Sequence, residues 1–270
     1  MTTADPGTTR PLALVTGASS GIGLELARSL ARRGYDLVVA AEDAELHAAA
    51  AELEREGTTV AAVQVDLTVP GDVERLWDAV VASGRSVDVV ALNAGAGVGG
   101  AFAETDLAAE LGIIQLNCAS TVHLAKRAVQ AMTARGEGRV LVTSSLAARV
   151  PSAHQAVYAG TKAFVHDFAQ SIGAELDGSG VTVTAFMPGP THSEFFDRAG
   201  LTDTKLGASD AKDDPAQVAE QAVEALLEGK DHVVTGSLAT KVSGALGALT
   251  PDRLGARLQG KAAEPGSAPG

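Results

Sequence analysis

Tyr158 and Lys162 stand four residues apart in the stretch QAVYAGTKAFVHDF, Gln155 to Phe168. On a helix, residues at that spacing share one face, so a phenol and an ammonium become neighbours. A free phenol ionises near pH 10 and is a weak base at neutrality, but a nearby cation favours phenolate and is expected to bring its pKa toward the working pH. Ser145 adds a hydroxyl that can hydrogen-bond the same substrate oxygen and steady its developing charge. Tyrosine, lysine and serine together suit alcohol–ketone interconversion, provided a hydride is exchanged. Taken alone, the Tyr–Lys pair reads more readily as a surface pair, and the rest of the chain reverses that.

The elements around these residues are those of an open α/β sheet. Val140–Val142 is a buried-strand run, so Thr143, Ser144 and Ser145 emerge at a strand's carboxyl end, where such sheets hold ligands. After a loop containing Pro151, residues Gln155 to Leu176 have helical character. Near the amino terminus, strand Leu12–Thr16 runs into Gly17-Ala18-Ser19-Ser20-Gly21-Ile22-Gly23, followed by a helix over Leu24–Arg33. Strand, glycine turn and helix let backbone approach a pyrophosphate, which the positive end of the helix dipole attracts.

Strands at Asp36–Ala41, Thr59–Val65 and Val87–Leu92 alternate with helices at Asp43–Arg55 and Asp72–Ala82, as parallel βαβ crossovers do. Asp66 and Asn93 lie just past strand ends, each readable as a turn residue or as part of a cofactor cleft, with Ala94 and Gly95 beside Asn93. Asp106–Gln115 and Ser120–Arg135 are helical, with Asn117 between them to hold a water or a local kink. Val181–Phe186 is a further strand that ends at Met187-Pro188-Gly189-Pro190-Thr191. Ser193–Ala211, with Phe195, Phe196, Leu201 and Leu206 among polar residues, is a candidate substrate lid. Pro215–Glu228 is an amphipathic helix, His232–Thr235 a short strand, and Leu238–Leu258 one or two short helices. Residues 1–10 and 261–270 read as disordered, leaving one domain over 11–260.

Composition bounds the function. Of 270 residues 46% are hydrophobic and only 3% aromatic, so the core must be built mainly from Ala, Val and Leu. A formal net charge of −12 argues against nucleic-acid and anionic-membrane partners and toward small molecules. Cys118, the sole cysteine, permits no intrachain disulfide and suits a cytoplasmic protein. The six histidines lack metal-ligand spacing, no metal site is expected, and neither a signal peptide nor a membrane span is read.

Assembled, these residues resemble the short-chain dehydrogenase/reductase family in its single-domain form, from about Leu12 to Val234. The resemblance rests on TGASSGIG at Thr16–Gly23, NAG at Asn93–Gly95, Ser145 thirteen residues before Tyr158, YAGTK at Tyr158–Lys162 and PGPT at Pro188–Thr191. It implies a doubly wound, Rossmann-type α/β fold of about seven parallel strands flanked by helices on both faces, with NAD(P) along the carboxyl edge.

By the same resemblance Tyr158 is the general acid/base, Ser145 polarises the substrate oxygen, and Lys162 lowers the Tyr158 pKa and holds the nicotinamide ribose. Asn117 matches a position that supports a water in a proton relay. Gly17, Ser19, Ile22 and Gly23, with Ser20 and Gly21 in the same turn, would contact the pyrophosphate and ribose. Asp66 and Leu67 would meet the adenine, Asn93, Ala94 and Gly95 would line the cleft, and Pro188, Gly189 and Thr191 would reach the carboxamide or phosphate region. A homodimer or homotetramer through Ser120–Arg135 and Gln155–Leu176 is implied.

The activity expected is hydride transfer between NAD(P) and a carbonyl or secondary alcohol. A silent dinucleotide sensor and a reductase of acyl-carrier-protein-bound substrates are the rivals. Ala147, Ala148, Val98 and Phe102 suggest a moderately apolar pocket. Ala41 stands where NAD-preferring relatives often carry aspartate, and Glu42 where NADP-preferring ones often carry arginine. Glu42 either accepts bonds from the adenosine ribose, favouring NAD, or serves the next helix's dipole.

Overall fold

The computed structural model describes residues 10–247 and 250–268, so the expected disorder of residues 1–9 lies outside the described residues. Seven strands form one parallel sheet: β1 Leu12–Thr16, β2 Asp36–Ala41, β3 Val60–Gln64, β4 Val87–Leu92, β5 Gly138–Thr143, β6 Val181–Pro188 and β7 His232–Thr235. Their spatial order is β3-β2-β1-β4-β5-β6-β7, so the chain reverses direction across the sheet between β1 and β4. Such a reversal opens a crevice at the strands' carboxyl ends, because successive crossovers there leave toward opposite sides.

Both sheet faces are covered, and β1 shows why its residues form an unbroken apolar run. Leu12 and Leu14 pack into one core with helices α3 (Pro70–Ala82), α5 (Ser120–Arg135) and α6 (Ala156–Glu175). Ala13 and Val15 point into the other core, against α1 (Gly21–Arg32), α2 (Glu45–Glu54) and α8 (Pro215–Leu227). Alternation in a strand buried on both faces is apolar at every position. Few rings are needed, because Ala and Val let helices lie close to the sheet; of the phenylalanines, Phe186 is fully buried.

The remaining helices are α4 (Leu107–Ile114), α7 (Phe195–Arg198), α9 (Leu238–Gly247) and α10 (Asp252–Ala262). Between α4 and α5 the chain makes a π-helical turn over Gln115–Ala119 that contains Asn117. This is the local irregularity expected at that residue.

Of the tail 261–270, for which the composition predicts disorder, residues 261–268 are ordered, and 269–270 lie outside the described residues. Ala263 is fully buried, Leu206 N–H donates to Ala262 C=O at 2.9 Å, and Ala268 N–H to Asp203 C=O at 2.9 Å. Asp203 Oδ2 accepts from Gly266 N–H at 2.9 Å and Ser267 Oγ from Lys205 N–H at 3.1 Å. A polar, proline-containing tail thus gains order by filling the backbone needs of segment 201–206, a long-range match that composition does not carry.

Asp213 is the junction that sets the loop after β6. Its backbone donates to Pro190 C=O at 2.8 Å and accepts from His192 N–H at 3.0 Å. Its carboxylate accepts from Ser237 N–H at 2.9 Å and Thr240 Oγ at 2.6 Å. A Cβ at Gly236 would lie 2.1 Å from Asp213 Oδ2, so the carboxylate closes onto bare backbone. Asp213→Ala leaves these donors without an acceptor and is expected to cost about 1–3 kcal/mol in urea unfolding, with Asp213→Asn intermediate. Wild-type stability in Asp213→Ala would show that the junction holds nothing.

Candidate active site

A cavity of about 740 Å³ opens along the carboxyl ends of β1, β4, β5 and β6. Its walls gather most of the residues singled out above: Gly17, Ser19, Ser20, Gly21, Ile22 and Gly23 at one end, then Asn93, Ala94 and Gly95. Ser145, Tyr158 and Lys162 also line it, with Pro188, Gly189, Thr191, Glu42 and Leu67. Asp66 and Asn117 do not line it.

The glycine turn shows the fit to a dinucleotide. A Cβ at Gly23 would sit 1.8 Å from Gly17 C=O, and one at Gly17 would sit 2.9 Å from Ala94 Cα at φ +66°. Backbone therefore replaces side chain at the cavity wall. Helices α4 and α8 begin on Asp106 and Asp214, whose carboxylates cap the first turn, whereas Ser20 makes no side-chain cap on α1. The first N–H groups of α1 remain available to an anion at this rim. Asp43 Oδ1 is a buried acceptor with no protein donor, at the end where a ribose would lie. The NAD(P) expected from the motifs thus has a cradle, an anion-binding helix end and an acceptor for a hydroxyl.

Asn93 staples the strand ends. Its Nδ2 donates to Thr16 C=O at 3.1 Å, and its Oδ1 accepts from Thr143 Oγ at 3.1 Å. It joins β1, β4 and β5 beneath the crevice and also lines it.

Asn117 is 1% exposed, and its Nδ2 donates to Ala96 C=O and Thr161 Oγ, both at 2.9 Å. Its Oδ1 accepts from Ala96 N–H at 3.0 Å. The amide is fully engaged, so it braces the loop after β4 against α6. Asp66 gives its carboxylate to Thr68, accepting from the backbone N–H at 2.8 Å and Oγ at 2.7 Å. It is a turn residue, and its neighbours Val65 and Leu67 face the cavity.

Tyr158 and Lys162 do share a face of α6, with Nζ 5.9 Å from the ring centroid. The pKa expectation is overturned. Burial pushes the Tyr158 phenol up to about 12, while a hydrogen bond with Ser145 opposes the rise. Burial pushes Lys162 down to about 8. Nζ donates to Thr143 C=O at 3.0 Å, so the ammonium is anchored on the end of β5. Removing both groups from water outweighs their proximity, because desolvation penalises phenolate and ammonium alike. Near neutrality the Tyr158 phenol keeps its proton.

Segment 193–211 forms the outer wall. The Phe195 ring lies 5.1 Å from the Tyr158 ring, and Phe196, Ala199 and Leu201 make a small core of their own. Among the cavity-wall residues that escaped the motif reading are Asp43, Glu194 and Arg198. Ser19 Oγ donates to Asp43 Oδ2 at 2.9 Å, and Arg198 Nη2 lies 3.7 Å from that oxygen and 2.7 Å from Glu194 Oε2. Asp43 sits 20 residues after Gly23, a spacing at which dinucleotide folds place a ribose-binding acid, and that was the available signal. Nothing local marks Glu194 or Arg198.

The pKa directions predict a pH dependence of stability. From about pH 8 to 10.5 the unfolded Lys162 binds a proton that the folded one has lost, so this residue's contribution to stability rises with pH over that window. Above pH 10 the folded Tyr158 retains a proton that the unfolded one releases, and its contribution falls toward pH 12. Urea unfolding should show the stability of wild type relative to Lys162→Met increasing by an amount on the order of 3 kcal/mol between pH 7.5 and 10.5. A flat difference would mean that Lys162 is not desolvated.

A family model described as short chain dehydrogenase matches residues 11–203. The 1-deoxy-11-beta-hydroxypentalenate dehydrogenase of Streptomyces exfoliatus is 36% identical over 229 residues, covering 83% of this chain and 82% of that one. A granaticin polyketide synthase putative ketoacyl reductase of Streptomyces violaceoruber is 36% identical over 191 residues, covering 69% and 70%. Among solved structures, a short-chain dehydrogenase from Sphingobium yanoikuyae in complex with NADPH superposes with TM-score 0.77 at 30% identity, covering 88% of this chain and 93% of its own. The sheet order, the crevice and these likenesses agree, and the chain belongs to the short-chain dehydrogenase/reductase family of oxidoreductases.

Proposed function

We propose that this oxidoreductase transfers a hydride between NAD(P) and the carbonyl or secondary alcohol carbon of a small molecule, with Tyr158 as the proton donor or acceptor. The observation that carries this reading is the meeting of Ser145, Tyr158 and Lys162 in the same cavity as the glycine turn. Nicotinamide, when bound, supplies or accepts the hydride.

The chain's own residues do the rest. Tyr158 Oη gives its proton to the substrate oxygen as negative charge develops there, and Ser145 Oγ donates a hydrogen bond to that oxygen. Lys162 Nζ, fixed by Thr143 C=O, offers its remaining donors toward the cleft between Tyr158 and Gly95, where a Cβ on Gly95 would lie 3.1 Å from it. A raised phenol pKa suits the acid role and hence carbonyl reduction near neutrality, whereas alcohol oxidation requires phenolate and gains with rising pH. Segment 193–211 acts as the lid, its Phe195 closing one side of the pocket on Tyr158.

The favoured cofactor is NAD, because Glu42 and Asp43 present two carboxylates at the rim and repel a 2′-phosphate. Binding NADPH more tightly than NADH would overturn that preference. Likeness to proteins named as a 1-deoxy-11-beta-hydroxypentalenate dehydrogenase and a polyketide synthase putative ketoacyl reductase favours a ketone or hydroxyl substrate, and Phe195, Phe196, Leu146 and Leu206 in the wall favour an apolar skeleton around it.

A panel of ketones and secondary alcohols, followed by nicotinamide absorbance, tests the activity. Tyr158→Phe should lose roughly 10²–10⁴-fold in kcat while keeping cofactor affinity, and Lys162→Met should lose both. Undiminished turnover in Tyr158→Phe would refute its role. For the lid, cofactor and substrate together should shield 193–211 from limited proteolysis more than cofactor alone. Equal cleavage in all states would make it a static wall.

A further inference from the structure

At the rim of the cleft a small charge network links segment 193–211 to the glycine turn. Asp43 Oδ2 accepts from Ser19 Oγ at 2.9 Å and faces Arg198 Nη2 at 3.7 Å. The same Arg198 nitrogen reaches Glu194 Oε2 at 2.7 Å, and that oxygen accepts from Ser20 Oγ at 3.4 Å. Asp43 Oδ1 is buried with no donor, and Ser19, Ser20, Glu42, Asp43, Glu194 and Arg198 all line the cavity.

As a stabilising device the network is weak. The Arg198 and Glu194 side chains are more than half exposed, and ion pairs of that kind contribute little to folding. What it does is fix the positions of an acceptor and a cation at the rim of the cleft. A buried acceptor without a donor calls for a hydroxyl from whatever occupies the cleft. A guanidinium beside it is the side chain best shaped to grip a phosphate, binding two oxygens at once.

Resting on the reading of this cleft as the NAD(P) site, we propose that Asp43 and Arg198 form a cofactor gate. Asp43 accepts hydrogen bonds from the adenosine ribose hydroxyls through Oδ1 while its other oxygen holds Arg198. With that carboxylate charged, a 2′-phosphate meets the repulsion of Asp43 and Glu42, and the guanidinium is engaged by Asp43 and Glu194. With Asp43 replaced by Asn, Arg198 keeps Glu194 but no longer faces the Asp43 carboxylate, and its remaining guanidinium N–H groups become the phosphate's ligand. The cation that decides between the two cofactors is therefore carried by the substrate-side wall, 155 residues from Asp43 in sequence, and not by the strand β2 end.

Titration of NADH and NADPH by nicotinamide fluorescence into wild type, Asp43→Asn, Arg198→Ala and the double variant tests the gate. Wild type should bind NADH more tightly. Asp43→Asn should raise the NADPH-to-NADH affinity ratio about tenfold, and adding Arg198→Ala should cut that gain to about threefold or less. Arg198→Glu on its own should move the ratio the other way, and thermal unfolding establishes that each variant is folded. A ratio within about twofold of wild type in folded Asp43→Asn, or a gain that survives loss of Arg198, overturns the gate. If wild type binds neither dinucleotide, the proposed function itself falls; if both bind and only the ratio fails to respond, the gate alone falls.

Discussion

The site depends on burying an ammonium. Lys162 is 5% exposed, and its Nζ is held by a single carbonyl, Thr143 C=O, at the carboxyl end of β5. Burying a charge beside an apolar core is costly unless it is hydrogen-bonded, and here the cost shows as a depressed pKa. The arrangement survives because α6 is fastened from several sides. Ser144 Oγ donates to Lys162 C=O at 2.9 Å, Asn117 Nδ2 to Thr161 Oγ at 2.9 Å, and Thr161 Oγ to Tyr158 C=O at 2.7 Å. The serine next to Ser145 is thus a brace, and the asparagine in the π-helical turn is another. Together they hold the phenol and the ammonium in register with the strand end.

The sheet supplies the other half. Because the strand order reverses between β1 and β4, the glycine turn after β1 and the segment from Ser145 to Lys162 after β5 open on one crevice. Asn93 ties the intervening β4 to both neighbours. On the far side, Asp213 fixes the Pro188–Thr191 loop by joining it to the starts of α8 and α9. A cleft built this way is braced along its floor, and segment 193–211 and the helices after β7 contribute its outer wall.

Most of this floor is legible in the chain, because its signals are local. Glycine spacing, the i,i+4 pair and apolar runs each specify their own element, and β1, β2, β4 and β7 fall where those runs predict. What is not local was not legible. The pKa of Tyr158 follows from burial by the whole fold, and proximity to Lys162 alone points the wrong way. The tail's order depends on Asp203 and Lys205, about 60 residues earlier. Arg198 meets Asp43 only because segment 193–211 returns over the glycine turn.

The central claim, that one cleft exchanges a hydride across a nicotinamide while Tyr158 handles the proton, is tested most directly by following the hydrogen itself. NADH deuterated at nicotinamide C4 is incubated with a ketone that the protein turns over, and the product is read by NMR. The account predicts deuterium on the carbinol carbon from one face of the nicotinamide ring only, with the hydroxyl proton coming from solvent through Tyr158. A carbinol hydrogen derived from solvent, or label lost equally from both faces, would contradict it.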